Sequence, residues 1–380
     1  MQAMLGAMLQ ILPVVAGANI IKPLRVARIV HAAISVGALL LAVAFLSYNP
    51  LAFAFAAAGL GFGVFVFIGA AAHALHRVPT ITPTIRGLKL ALLGLGVTVS
   101  LGMVLAVAQG GALGGLLNGW LMPLVDIHLT WGLMAWGGVL LAAVAYVVVP
   151  MFQLTPAYPE WFGQAYSGGV LSTVALWAVL YLAGWNTLSA LFSSALAGLA
   201  ALFSIITLNI QRRSKRAKFD ATQHYWRIAM LSALAACTLW FTARIFPLIG
   251  EWQAWPLLLG VLLLFGTFMS VIVGMLYKIV PFLIWLHLQN LGHGRLIAPN
   301  MKKVLAEPQM VRQMIVHFAA VSMLVLAVFW PKWFVYPAGL ALLIANVWLL
   351  RNLLSAAGVY RRHRAKIIAL LPVKLDLLGA

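Results

Sequence analysis

Acidic side chains are nearly missing from this sequence, which has six Asp and Glu against 25 Lys and Arg in 380 residues. No apolar stretch holds a pair of carboxylates, so a proton-driven carrier of the usual acidic kind is not indicated. Cysteine is scarcer still. Cys237 stands alone in an apolar segment, which excludes a disulfide framework, a paired-cysteine metal site and a c-type heme attachment sequence. Its simplest role is that of a small buried hydrophobe. There is no P-loop, dinucleotide fingerprint, Gly-x-Ser-x-Gly or HExxH motif, and nothing here marks a soluble-type enzyme site.

Polar surface is also in short supply. Hydrophobic residues make up 64% of the chain and charged residues 8%, with a mean hydropathy of +1.03. A water-soluble globule of this size cannot be covered with so little polarity, so lipid must be its solvent. Residues 161–211 carry no charge at all, enough for two spans of about 20 residues and a turn. About eleven apolar segments follow one another: 1–20, 26–48, 51–76, 84–109, 125–150, 162–184, 187–211, 222–246, 252–288, 310–330 and 334–360. The segment 252–288 is too long for a perpendicular span, so it tilts or its ends lie in the interface. The whole chain 1–380 reads as one all-α polytopic membrane domain with a basic tail, 361–380.

The net charge of +19 would suggest nucleic acid in a soluble protein, but the placement of the charges points elsewhere. Lys22, Arg25 and Arg28, then Arg77, Arg86 and Lys89, then 212–218, then Arg295, Lys302, Lys303 and Arg312, then 361–366 fall in alternate connections. Only Lys332 and Arg244 lie on the other side. This positive-inside pattern makes the basic connections cytoplasmic, with anionic lipid headgroups as partners and no nucleic acid. Residues 1–21 have no charge before Lys22, unlike a cleaved signal peptide. An odd number of spans then places the amino terminus in the periplasm and the carboxyl terminus in the cytoplasm of a bacterial inner membrane.

Three prolines share a setting. Gly6-Ala-Met-Leu-Gln-Ile-Leu-Pro13, Ala143-Val-Ala-Tyr-Val-Val-Val-Pro150 and Gly274-Met-Leu-Tyr-Lys-Ile-Val-Pro281 each carry a small residue seven places before the proline and an aliphatic one directly before it. Two helices follow each copy and one precedes the second and third. The pattern predicts a threefold pseudo-repeat of four-helix units at about 1–82, 83–218 and 219–366, lacking the first helix. Small residues at the repeat position allow close helix approach.

This arrangement resembles the twelve-helix subunit I of heme-copper oxidases and the related NnrS-type membrane proteins. The motifs Val125-Asp-Ile-His-Leu-Thr-Trp-Gly132 and Gly274-Met-Leu-Tyr-Lys-Ile-Val-Pro-Phe-Leu-Ile-Trp-Leu-His287 look like those of bacterial proteins attached to that superfamily. The resemblance implies heme b or copper as cofactor, and a role in handling heme, copper or nitric oxide. It does not extend to oxidase chemistry. The family's seventh helix carries a copper histidine pair and its tenth two further histidines, yet 162–184 and 255–274 contain none. Its second helix supplies a heme histidine from a region that this chain begins too late to contain. Only His128 falls at a family ligand position.

An ionisable residue at membrane depth marks a functional site by default, and neutral imidazole binds transition metals and heme iron. His128 is therefore either a ligand, with Met103, Met134 or Met269 as a possible second, or a histidine bonded to a neighbouring helix. Asp126 and Arg244 either clasp each other or position a carboxylate such as a heme propionate. His31 and His317 hold matching places after two of the prolines and could join His76 or His224 in a cytoplasmic metal site. His293 belongs to the same inner set. As an alternative function, Lys278, Arg227 and Arg351, with Tyr277 and Gln10, would line the anion-attracting mouth of a transporter or channel. A third reading is a structural or assembly subunit that meets a membrane redox partner or a second copy of itself.

Overall fold

The computed structural model describes residues 1–370 except 79–81, 112, 114, 116–118 and 293–297. His293, Arg295 and residues 371–380 of the tail therefore lie outside the described residues. Among those described, every regular element is helical. The chain forms two compact units, Met1–Lys215 and Arg216–Ala380.

The first unit holds α1 (Gln2–Ala16), α2 (Pro23–Ser47), α3 (Pro50–His76), α4 (Pro83–Gln109), α5 (Leu121–Gln153), α6 (Glu160–Leu182) and α7 (Asn186–Arg212). The second holds α8 (Ala221–Ile245), α9 (Trp255–Leu291), α10 (Glu307–Phe329) and α11 (Pro331–Leu370). Proline opens α2, α3, α4 and α11, where its missing N–H costs nothing and its fixed φ suits the first turn. The Asn49, Thr82 and Asp220 side chains accept the first free N–H groups of α3, α4 and α8.

Ten of these helices, α2 to α11, are long and apolar enough to cross a membrane. The expected eleventh span is α1. Its 15 residues extend about 22 Å, short of the roughly 30 Å hydrocarbon core, because Gly17 ends it in the left-handed conformation. The opposite placement of the two termini depended on counting α1 as a crossing.

Two spans are not purely α-helical. Trp131–Gly138 in α5 and Val261–Met269 in α9 are π-helical, each ending 12 residues before its proline. In α5 the Val139 N–H reaches back five residues to the Met134 carbonyl. In α9 the wide turn exposes carbonyls that hydroxyls take up: Thr267 Oγ1 donates to Leu262 O at 2.9 Å and Ser270 Oγ to Phe265 O at 3.0 Å.

Contacts at these segments correspond between the units. In the first, a Cβ on Gly87 of α4 would lie 2.7 Å from the Ala143 Cβ, and one on Gly94 would lie 2.4 Å from the Ala135 carbonyl oxygen. In the second, a Cβ on Gly274 would lie 2.7 Å from the Tyr225 Cβ, and one on Gly266 would lie 2.8 Å from the Ser232 Cβ. Ala143 and Gly274 stand 131 residues apart, as do Ala135 and Gly266; Gly87 and Tyr225 stand 138 apart, as do Gly94 and Ser232. One partner of each close pair is glycine, but the side of the contact on which it lies changes between units.

Backbone meets backbone at Gly94, so a larger side chain there must move a helix rather than another side chain. Gly94→Leu is expected to lower stability by about 3 kcal/mol, read as a drop in the thermal midpoint of the detergent-solubilised protein. Gly6→Leu, at a site with nothing within 4 Å, should leave that midpoint unchanged.

Candidate functional site

In the first unit, α5 lays His128 across α4. The His128 Nδ1–H donates to the Thr98 carbonyl at 3.0 Å, and Thr98 in turn donates its own hydroxyl to the Gly94 carbonyl at 2.7 Å. Gly102, one turn further along α4, makes room for the ring: a Cβ there would lie 3.0 Å from His128 Cε1. A carbonyl can only accept, so Nδ1 carries a proton, and in the neutral imidazole Nε2 then carries the lone pair. Metal-bound histidines are held in this way, with the second nitrogen donating to a carbonyl that fixes tautomer and ring orientation. The ring is half-buried.

Asp126 lies two residues earlier, exposed, with its Oδ2 accepting the Tyr181 hydroxyl of α6 at 2.7 Å. In the second unit Arg244 lies over the Trp240 ring, 5.3 Å from its centroid, inside the limit of about 6 Å for a cation–π contact. Of the methionines considered as a second ligand, Met103 is taken up by packing, since a Cβ on Gly61 of α3 would lie 2.3 Å from its Sδ. Met134 lies within the π-helical segment of α5, and Met269 packs on the core of the second unit. No three His, Cys, Asp or Glu side chains come together as a metal site among the described residues.

The second unit carries a buried polar network across four helices. Gln313 Oε1 accepts the Tyr225 hydroxyl at 2.6 Å and the Tyr277 hydroxyl at 3.0 Å, while its Nε2 donates to the Ala345 carbonyl at 3.1 Å. Asn352 Nδ2 donates to the Tyr277 oxygen at 2.9 Å. A network with these partners satisfied fixes how α8, α9, α10 and α11 dock. His317 sits beside it, fully buried, with Nε2 2.9 Å from Ser270 Oγ and Nδ1 without a partner. Because Ser270 already donates to Phe265, His317 Nε2 is the donor in that bond. His31, the matching residue after the first proline, is exposed on α2.

The cations proposed for a transport mouth are mostly occupied. Lys278 Nζ donates to Asp220 Oδ2 at 2.5 Å, and Arg216 reaches the same oxygen at 2.8 Å. Arg227 lies over the Phe219 ring at 5.0 Å. Arg351 is exposed on α11, and Tyr277 belongs to the buried network. Asp220 also caps α8 through Gln223 N at 3.0 Å, and Glu307 takes the Ala221 N–H at 2.6 Å. Sequence reasoning missed Asp220 as the centre of this cluster. The available signal was an aspartate ending a basic loop at a helix start, in a chain with so few acids. Outside the spans, Tyr158 is buried between α5 and α6 and donates to Thr207 at 3.0 Å; burial pushes its phenol well above the ordinary range, so it remains a donor.

No family model, curated protein or solved structure matches this chain.

Proposed function

We propose that this is a bacterial inner-membrane protein that binds a b-type heme through His128 and handles heme or a small diatomic ligand, without terminal oxidase activity. The observation that carries the reading is the His128 imidazole, its Nδ1–H held by Thr98 and its Nε2 without a hydrogen-bond partner among the described residues. A bare metal ion asks the protein for three or more donors, which the described residues do not group. Heme brings four nitrogens of its own, so one oriented imidazole meets its need, and this favours heme over copper. Bound there, heme would be held by His128 and would supply an iron able to bind a small ligand such as nitric oxide. Transport through an anion-attracting mouth has less support, because Lys278 and Arg227 are already engaged.

The reading includes an architecture of three four-helix copies with the first helix missing from the front. It draws support from the two π-helical segments placed alike before Pro150 and Pro281, and from the paired contacts with constant offsets. Asp126 and His128 have Leu257 and Leu259 at the corresponding places before Pro281, so the second unit does not repeat this pair. The test is the visible spectrum of protein purified from heme-replete cells. A Soret band is expected, and a colourless preparation overturns the reading.

A further inference from the structure

A groove of about 630 Å³ runs between α3 and α4 of the first unit, and neither His128 nor Thr98 lines it. Its far end is bounded by Phe65 and Ser100, its middle by the small residues Ala72 and Gly96, and its near end by His76 and Lys89. A Cβ on Gly96 would touch only the tip of Ile68, at 3.9 Å, so the missing side chain gives the groove its depth. From Lys89 to Ser100 the groove follows twelve residues of α4, about 16 Å along the axis. One leaflet's hydrocarbon is about 15 Å deep, half of a 30 Å core.

Charge is placed at one end only. Lys89 is half-buried, and neither α3 nor α4 contains an acidic residue. Arg86, beside it, is directed to the Gln164 carbonyl of α6 at 3.0 Å. The His76 Nδ1–H is spent on the His73 carbonyl at 2.7 Å, leaving Nε2 at the mouth. An ammonium in so apolar a setting calls for an anion, and the groove above it calls for a hydrocarbon chain. Both requirements are met by one molecule.

We infer that the α3–α4 groove holds one acyl chain of an anionic phospholipid, with its phosphate on Lys89. The site is separate from the heme reading and stands or falls without it. The experiment reconstitutes the full chain in nanodiscs containing phosphatidylglycerol and phosphatidylcholine with identical acyl chains, and counts the lipids retained by native mass spectrometry. The wild type should retain phosphatidylglycerol over phosphatidylcholine by about fivefold, the preference expected of one basic residue at an anionic surface. Lys89→Ala should bring that ratio close to one while a lipid is still retained, and Lys89→Arg should restore it. Gly96→Trp, which fills the groove and leaves Lys89 in place, should remove the retained lipid. Ala72→Phe fills the same space from the other wall and should do likewise, so misfolding of one variant does not decide the outcome. Equal retention of the two lipids by the wild type, or a preference unmoved by Lys89→Ala, overturns the inference.

Discussion

His128→Ala is expected to remove the Soret band of the purified protein while leaving its helical content and thermal midpoint close to wild type. The imidazole is half-buried and crosses a notch above Gly102, so its loss opens little cavity, whereas it takes away the one oriented nitrogen of the site. Gly102→Ala gives the finer test. The added methyl would meet His128 Cε1 at 3.0 Å and push the ring off the Thr98 carbonyl. Disturbing such a supporting contact typically weakens metal binding by about 10- to 100-fold, so heme occupancy should fall by that order with His128 still present. His317→Ala serves as the control, because that ring is enclosed among Ser270, Tyr225 and Phe318 of the second unit. A band that follows His317 and ignores His128 would place the cofactor elsewhere.

Asp220→Ala should be the most destabilising single change in the second unit. Its carboxylate accepts from Lys278, Arg216 and the Gln223 N–H, and the Asp220 and Lys278 side chains are 12% and 22% exposed. Removing one member of a largely buried pair leaves the other charge without compensation, at about 3–5 kcal/mol. Loss of the helix cap adds roughly 1 kcal/mol. Asp220→Asn separates the two effects, since asparagine caps as well as aspartate but cannot neutralise Lys278. Combining Asp220→Asn with Lys278→Met should recover most of the loss, because the stranded charge is then gone. Thermal unfolding in detergent measures all three variants, and a double variant no more stable than Asp220→Asn alone would show that the ion pair is not the source.

The helices were legible in the sequence because lipid imposes a length, and runs of apolar residues close to that length leave few alternatives. The boundaries of α3, α4 and α8 lie within a residue or two of the expected ones, where prolines and capping side chains mark them. Extent was harder to read at α9 and α11. Hydropathy falls at Leu288 and Tyr360, but backbone hydrogen bonding does not, and the helices continue to Leu291 and Leu370. Pro150 likewise lies inside α5, which continues to Gln153, rather than at its end. The π-helical segments left no trace in composition, since a wide turn changes the backbone hydrogen bonding and not which residues are apolar. For the site, His128 was visible as a lone imidazole in an apolar span. Its partner was not, because the Thr98 carbonyl is main chain and belongs to every residue alike. Asp220 and Lys278 lie 58 positions apart, beyond the reach of any local pattern.

The π-helical segment of α5 separates two tasks along one helix. Toward the Pro150 end, Ala143 must face Gly87; toward the other end, His128 must face Thr98 on the same neighbour. A regular helix turns by about 100° per residue and fixes the angle between any two of its side chains. The extra residue in a wide turn resets that angle, so the phase of the His128 end is set independently of the end that packs around Pro150. New polar groups can therefore arise and be aimed at one end of a span while its proline-bearing end keeps its own mode of packing.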